Sequence, residues 1–555
     1  MKKIIAFLCA LVMLLLCFAS CNQKGDPSEQ IRTSELSEYT IVYSKNCSAS
    51  VARKANVLAV RLDELYGITV KTGNDEDCAV SEKEILIGYT NRAESREFLS
   101  DIRSKDYGYA MVGGKLCIAG GVDEFTTKAV DAFMSAELEK ISKTLKLGTP
   151  VVTRSTYDID DLKINGESIK GWSVMYPSEN QNSEKEIAEQ IRDKIIEISD
   201  FVPFLCTEKE NITDKVISVS VADSDAKILV SGNKIDLCGR DAEALTQVSK
   251  TVVNKLSNAP EENKVINVEI NNNEKLEQFL TVMSFNIRYN LEEGGTPRMA
   301  AAVAQIKDLS PDVIGIQEDS KDWYQYFDTQ LTEYTGLRNA LAAGNNEYLS
   351  IYYKKSVFSP VDKTDKNITG LLWLSDTPTV RSKYSESLND RGMQYAVLTR
   401  KSDGAKFCIV NTHLENDTKT GDGPTARQKQ IKVLLRQTAK IVSKNGDIPS
   451  ILVGDFNATK KRDGAVHTMI SDGGYVDCSV EAFRTMTQGT WNESYEDFYT
   501  YGIDNPINKN SDTIDFCYAS EDDFLIFSYK VSAKKYNDLY TSDHFPIVVK
   551  LMFNK

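Results

Sequence analysis

The sequence predicts an α/β protein in two parts: a pair of small α+β repeats over residues 38–155 and 168–270, then a layered α/β domain over 278–555. Three observations carry this expectation. A strand, helix, hairpin and helix occur twice in the first half, and short apolar strands ending in polar residues alternate with helices in the second. A length of 555 residues also exceeds what one hydrophobic core holds. With 41% hydrophobic and 26% charged residues, the composition is that of ordinary globular protein.

The first residues read as an address. Lys2 and Lys3 precede an apolar run over 4–20, too short for a span of about 20 residues and laid out like a secretory signal. Phe18-Ala19-Ser20-Cys21, followed by polar residues, resembles a bacterial lipoprotein signal, although Phe18 stands where such signals usually carry Leu or another aliphatic. The resemblance implies cleavage before Cys21, a lipid anchor on that cysteine and an extracytoplasmic position on the bacterial cell envelope; the alternative is an ordinary cleaved signal. Residues 1–21 are then the signal and 22–37 a linker. Eight further cysteines, from Cys47 to Cys517, are widely spaced with no CxxC, so they read as small buried hydrophobes, with a Cys47–Cys78 bridge left open.

In the first repeat, residues 39–43 and 84–88 read as strands, and 50–66 as a helix with Val51, Ala55, Leu58, Ala59 and Leu62 in helical spacing. Gly113-Gly114 separates two apolar runs as a hairpin turn, and a helix over 126–140 closes the unit. The second repeat offers a strand at 172–176, a helix at 184–198 and a hairpin over 227–237. Lys115-Leu116-Cys117-Ile118-Ala119-Gly120 aligns with Lys234-Ile235-Asp236-Leu237-Cys238-Gly239. Each unit is similar to accessory domains that precede catalytic domains in some extracellular glycoside hydrolases. The similarity implies a carbohydrate or cell-wall contact, but without a site motif a spacer is the plainer reading.

After a polar joint at 271–275, strands are expected at 281–286, 313–318, 349–353, 407–413, 451–457, 514–520 and 545–551. Helices are expected at 296–309, with Thr296 as N-cap and Pro297 in the first turn, and at 424–442, with Ile431, Leu434, Leu435 and Val442 on one face.

The strand ends carry the chemistry. Ile451-Leu452-Val453-Gly454-Asp455-Phe456-Asn457 is an apolar strand that delivers Asp455 and Asn457 to one side of the backbone. Asn286 ends Ser-Phe-Asn, Glu318 ends Ile-Gly-Ile-Gln-Glu, His413 lies in Asn-Thr-His-Leu and Asp515 in Ile-Asp-Phe, and Ser542-Asp543-His544-Phe545-Pro546 follows. The chain has three histidines, and two fall inside these motifs; His467, in Ala-Val-His-Thr, reads as structural. Carboxylates gathered this way suit a hard divalent cation that neutralises a phosphoester, with Glu318 as first ligand.

Six such motifs in this order resemble the endonuclease/exonuclease/phosphatase superfamily, which includes deoxyribonuclease I, abasic-site endonucleases, neutral sphingomyelinases and inositol polyphosphate 5-phosphatases. The resemblance covers 280–555 and implies a four-layer α/β sandwich of the deoxyribonuclease I kind, with Mg²⁺ or Mn²⁺ as cofactor. It further implies that Asn286 contacts the metal water or phosphate, that Asp543 is a second carboxylate near the metal, and that Asp455 positions the attacking water. Asn457 would donate to the phosphate, His413 would face it from the opposite wall, and Asp515 would partner His544. His544 is open to two roles, base or charged phosphate contact. Water attacks in line, with no covalent intermediate. Tyr353 is a candidate substrate contact, while Arg391 and Arg427 read as salt-bridge or rim residues.

The expected function is therefore a surface-anchored, metal-dependent phosphoesterase. The net charge of −14 leaves no basic footprint for duplex nucleic acid, so sugar-phosphate, lipid-phosphate or other small substrates stand level with an extracellular nuclease. For a lipid substrate, Leu371, Leu372 and Trp373 offer an apolar loop, or else a buried strand. The alternative from another class is a non-catalytic glycan-binding surface lipoprotein.

Overall fold

The computed structural model describes residues 30–140, 144–146, 149–179, 182–210, 213–222, 225–289, 295–340, 348–416, 422–486, 489–490 and 513–554. The signal over 1–21, with Cys21, and the linker up to residue 29 lie outside the described residues. The chain divides into two compact units, Met1–Glu277 and Gln278–Lys555.

In the first unit, β1 (Thr40–Tyr43), α1 (Ala49–Tyr66), β2 (Lys71–Asn74), β3 (Glu84–Ile87), α2 (Ala93–Leu99), β4 (Tyr107–Val112), β5 (Lys115–Gly120) and α3 (Asp123–Ala136) follow one another. They form a sheet in the order β2-β1-β3-β5-β4, all parallel except β4, with Val151–Thr153 added at the β4 edge. Then come β6 (Ser173–Tyr176), α4 (Asn182–Ser199), β7 (Phe204–Thr207), β8 (Val216–Val221), β9 (Lys227–Ser231), β10 (Lys234–Gly239) and α5 (Ala242–Ser257). Their sheet runs β7-β6-β8-β10-β9, the same order counted from its own first strand, with β9 antiparallel. Gly113 and Gly114, at φ 54° and 86°, make the β4–β5 turn in the left-handed region that a two-residue hairpin requires. Each sheet has its own apolar core: Val51, Leu58 and Leu62 of α1 lie on Ile41 and Ile85, and Ile191 and Ile195 of α4 on Val174 and Ile217. All eight described cysteines are free thiols, so the Cys47–Cys78 bridge is absent.

The second unit contains β11 (Leu280–Asn286), α6 (Gly295–Leu309), β12 (Val313–Asp319), α7 (Lys321–Gln330), β13 (Tyr334–Ala340), β14 (Tyr348–Lys354), β15 (Thr369–Trp373), β16 (Gly392–Thr399), β17 (Lys406–His413), α8 (Gly423–Lys444), β18 (Ser450–Asp455), α9 (Gly464–Asp472), β19 (Tyr475–Asp477), β20 (Arg484–Met486), β21 (Asp515–Ser520), β22 (Phe524–Val531) and β23 (Ile547–Phe553). Two sheets result, β13-β14-β12-β11-β23-β22-β20 and β15-β16-β17-β18-β21-β19. Their facing sides share one core, including Val282, Val313, Ile409, Ile451 and Val549. Met283, Phe285 and Ile314 on the outer side of the first sheet pack with Ala302 and Ile306 of α6 and with Trp323 and Phe327 of α7. Val410 and Leu452 on the outer side of the second pack with Ile431 and Leu434 of α8 and Val466 of α9. The unit is a four-layer α/β sandwich.

One local expectation changes, one helix gains a cap that the sequence reading did not name, and one open alternative is decided for the buried strand. Helix α6 begins at Gly295, so Thr296 lies inside its first turn rather than capping it. The cap of α8 is Asp422, whose Oδ1 accepts from Thr425 N at 3.1 Å, with Pro424 in the first turn where its missing N–H costs nothing. Leu371, Leu372 and Trp373 belong to β15, with Trp373 buried, and form no exposed loop.

A buried ion cluster pins the first repeat. Glu84, fully buried in β3, lies 3.0 Å from Arg92 Nη2 and 2.8 Å from Lys115 Nζ. Burial alone would raise its carboxyl, but Arg92 and Lys115 outweigh burial and hold it below its ordinary value. A depressed folded-state value contributes stability that is present above the unfolded carboxyl value, about 4.3, and lost as pH falls through the folded one. Glu84→Gln is therefore expected to cost about 3–5 kcal/mol at neutral pH, because buried Arg92 loses its carboxylate and Lys115 keeps only Glu94, at 3.2 Å. It should also flatten the acid loss of stability of the first unit; denaturant unfolding followed from neutral to acid pH measures both.

Candidate active site

Period-two alternation sets which side chains meet. On β18, Ile451 and Val453 face the shared core and Leu452 faces α8, so Asp455 faces inward at the strand's end. The same parity turns Asn286 inward behind Val282, His413 behind Ile409, and Asp515 ahead of Cys517. Parallel pairing aligns His413 with Asp455, and antiparallel pairing aligns Asp455 with Asp515. Gly454 permits this: a Cβ there would lie 2.1 Å from the Thr412 carbonyl oxygen on β17.

Asp455 is the centre. Its Oδ1 accepts from the Asn457 backbone N–H at 2.8 Å and its Oδ2 from Asn286 Nδ2 at 3.0 Å. His413 Nε2 lies 3.4 Å from that same Oδ2, and His544 Nε2 3.8 Å. All four side chains named with it, Asn286, His413, Asp515 and His544, are buried. Asn286 Nδ2 also donates to Glu318 Oε1 at 3.1 Å, so one carboxamide bridges two carboxylates.

Glu318 reaches the site by a departure from regular structure. Strict alternation would send it outward with Ile314 and Ile316. Instead the β12–β14 ladder shifts register between Ile316 and Asp319, and Glu318 takes φ 56°. A bulge of this kind re-aims a side chain at a local conformational cost. Its Oε2 then accepts from Tyr289 N at 3.3 Å.

His544 is held from its far side. Its Nδ1 lies 2.8 Å from Asp515 Oδ2, which leaves Nε2 directed at Asn286 and Asp455. Burial pushes the imidazole down, but the charges of Asp515, Asp455 and Asp543 outweigh it and raise it well above the usual histidine value. Thr490 braces this pair: its Oγ1 accepts from Ile514 N and Asp515 N at 3.0 and 3.1 Å, and its carbonyl from Phe545 N at 2.7 Å.

Four candidates are placed differently from expectation. Tyr353 is a core residue: β14 runs antiparallel to β12, so Tyr353 pairs with Val313 at the end away from Glu318, and its ring packs on Phe358. Asp543 pairs with Arg288 Nη1 at 3.0 Å, so its charge is already matched and it is not a free second carboxylate. Asn286 turns its amide nitrogen to the acids, while its Oδ1 accepts from Arg288 N. Asn457 leaves the strand at φ 48°, and its Nδ2 donates to the Leu414 carbonyl at 3.1 Å, so it closes the turn beneath Asp455 instead of standing beside it. Arg427 is fully buried in an ion pair with Asp463 at 2.6 Å, and His467 lies in the core with Nδ1 against the Tyr518 hydroxyl.

The sequence reading missed Arg288, Gln317, Asn411 and Thr490. Gln317 and Asn411 lie inside the motif peptides, where their inward parity was the available signal, and Arg288 stands two residues past Asn286. Thr490 had none. Arg298 of α6 donates to the carbonyls of Ile287 and Arg288 at 3.2 and 3.0 Å, and Trp323 Nε1 to that of Arg288, which fixes the turn carrying Arg288.

The model of the Endonuclease/Exonuclease/phosphatase family matches residues 283–544, from β11 through His544. This segment belongs to that family. The three activities in the family's description all cleave phosphoester bonds, and its members are divalent-metal-dependent hydrolases. Carbon catabolite repressor protein 4 homolog 3 of Arabidopsis thaliana is 30% identical over 162 residues, 28% of this chain and 31% of that protein, so the chain spans about a third of the curated relative it matches. Among solved structures, an endonuclease/exonuclease/phosphatase protein from Bacteroides vulgatus is 25% identical, with TM-score 0.43, and covers 50% of this chain and 100% of its own. A mannosyl-6-phosphatase from Bacteroides thetaiotaomicron is 24% identical, with TM-score 0.42, and covers 49% and 99%.

The close approach at Gly454 of this endonuclease/exonuclease/phosphatase domain is testable. Gly454→Ala should cost about 2 kcal/mol or more, since backbone must move to admit the methyl, and should reduce any hydrolytic activity by displacing Asp455 from His413. Gly464→Ala, where an added Cβ meets nothing within 4 Å, should leave both unchanged. Urea unfolding and steady-state rates on the same preparations check this.

Proposed function

We propose that the second unit is a divalent-metal-dependent phosphoesterase that cleaves its substrate by in-line attack of water. We further propose that the chain works outside the cytoplasm, held to the envelope by lipid on Cys21. The reaction rests on one observation: two buried carboxylates, Asp455 and Asp515, and two buried histidines converge beside Glu318 at neighbouring strand ends.

The donor set fits a hard cation. Glu318 is a part-exposed carboxylate whose neighbours are oxygen and amide groups, with no thiolate among the site residues. Glu318 would hold Mg²⁺ or Mn²⁺, with Asn286 and Asp455 beside it. Such an ion, when bound, neutralises charge that builds on the phosphoryl oxygens. Asp455, Asp515 and His544 also bring three ligand atoms within 4.8 Å of one another, but the His544–Asp515 bond occupies two of those groups. We assign that trio to proton handling and charge.

The chain's own residues then divide the work. Asp455 is fixed by Asn286 and Asn457, so its carboxylate can orient a water and accept its proton. His544, kept cationic by Asp515 and Asp455, offers an Nε2–H to a phosphoryl oxygen. His413, on the other side of Asp455, faces the departing oxygen. Arg288, held by Asp543, offers a guanidinium hydrogen-bond donor at the rim. The burial of Trp373 in β15 removes the exposed apolar loop that a lipid substrate would want, and the net charge argues against a duplex groove. A water-soluble phosphoester, a sugar phosphate among them, is the class supported best.

Hydrolysis of a panel of phosphomonoesters and phosphodiesters with Mg²⁺, Mn²⁺ or chelator tests this reading. Glu318→Ala and His544→Ala should each lower kcat/KM by about 10²–10⁴-fold, and Tyr353→Phe should leave it unchanged. Metal-independent rates, or full activity in both alanine variants, would overturn the assignment.

A further inference from the structure

The first unit contains a cleft that phosphoester hydrolysis does not use. Strands β1, β2, β3 and β5 are parallel, and the chain leaving their carboxyl ends faces α4 and β7 of the second repeat across a space of about 400 Å³. Open parallel sheets present ligand sites at this end, and the volume lies in the range of small-molecule pockets.

What lines it is chemically uneven. Two of its six carboxylates, Asp75 and Glu210, are held by their own neighbourhood: Asp75 accepts from the backbone N–H groups of Lys45 and Asn91 at 2.9 and 2.8 Å. Glu210 accepts from the backbone N–H and hydroxyl of Thr207 at 2.8 and 2.9 Å. The donors are not satisfied. Arg96, on α2, is 3% exposed, yet among the described residues its side chain has no ion-pair partner and its Nε no hydrogen bond. The Tyr89 hydroxyl, on the same wall, is buried without a partner among the described residues, while its ring stacks on Phe204 of the second repeat at 5.5 Å between centroids.

A buried guanidinium without an acceptor is costly, and a buried phenol adds to that cost. Both donors line one cleft, and none of the carboxylates in it pairs with Arg96, so a ligand can supply the acceptor they lack. We propose that this cleft binds a sugar-sized ligand bearing an oxyanion, a carboxylate or a phosphate, with Arg96 and Tyr89 as its principal contacts. Arg192, whose Nε donates to the Pro203 carbonyl at 3.1 Å, brings a second guanidinium from the opposite wall.

Calorimetric titration of the full chain in excess chelator, with glucuronate, glucose 6-phosphate and glucose, tests the proposal. Glucuronate or glucose 6-phosphate should bind about tenfold or more tighter than glucose, and Arg96→Gln and Tyr89→Phe should each weaken that binding. Which anion binds tighter identifies the group. Because Arg96 has no folded-state partner, Arg96→Gln should melt no lower than the parent without ligand and should keep its phosphoesterase rate. Anions that bind no better than glucose, unchanged binding in Arg96→Gln, or a melting temperature that falls in that variant would each overturn the proposal.

Discussion

Two sheets packed face to face must agree on where they end, and one buried hydrogen bond enforces the agreement. Gln317 Nε2 donates across the sandwich to Asn411 Oδ1 at 2.6 Å, and Asn411 Nδ2 donates to the carbonyls of Ile316 and Ser350 at 2.7 and 2.9 Å. Gln317, Asn411 and Ser350 are fully buried, so a slip of one sheet along the other would strand several polar groups in the core. Beside them, Gly315 leaves room for Val453, whose Cγ2 would lie 2.5 Å from any Cβ there. Glu318 follows Gln317 by one residue, His413 follows Asn411 by two, and Asp455 follows Val453 by two. The site's geometry is thus inherited from a register lock one layer below it.

That lock brings buried acids together, and their repulsion has to be answered. Asp455 and Asp515 are paired residues on neighbouring strands, both buried, with His544 bonded to one at 2.8 Å and 3.8 Å from the other. The imidazole is raised because it answers the charges of Asp515, Asp455 and Asp543 together. Asn286 supplies a neutral bridge between Asp455 and Glu318, where a second cationic side chain would compete with a metal for the same carboxylates. Arg288 stays outside, matched to Asp543.

Much of this was legible in the sequence, for a specific reason. Asn286, His413, Asp455 and Asp515 end strands whose apolar residues alternate, so period two alone assigns them to one face. Glu318 breaks that rule through a bulge, and only its motif pointed to it. Asn457 shares the parity of Asp455, yet the strand stops at Asp455 and a left-handed residue turns Asn457 beneath it. Tyr353 failed because strand direction is not written in a strand: an antiparallel β14 reverses which of its ends lies near Glu318. Strands β16 and β22 were passed over because they end in no motif, although Met393, Tyr395, Ile526 and Tyr529 belong to the core.

The first unit poses the opposite problem, a repeated topology with no motif. Its two sheets share one strand order, but their charges have diverged. Lys115 and its counterpart Lys234 both open the last strand of their sheet; Lys115 is buried against Glu84, while Lys234 is half exposed beside Asp236. On α2 of the first repeat the contrast is sharper. Arg92 caps the helix and Arg96 follows one turn later, and both are buried. Arg92 holds Glu84 and the carbonyls of Asp75 and Cys78, so folding accounts for it. Nothing comparable accounts for Arg96. Two arginines of equal burial on one helix, one matched to an acid and the other without a partner among the described residues, are hard to explain by stability alone. The asymmetry is what a site needed for binding would leave in a domain otherwise shaped by packing.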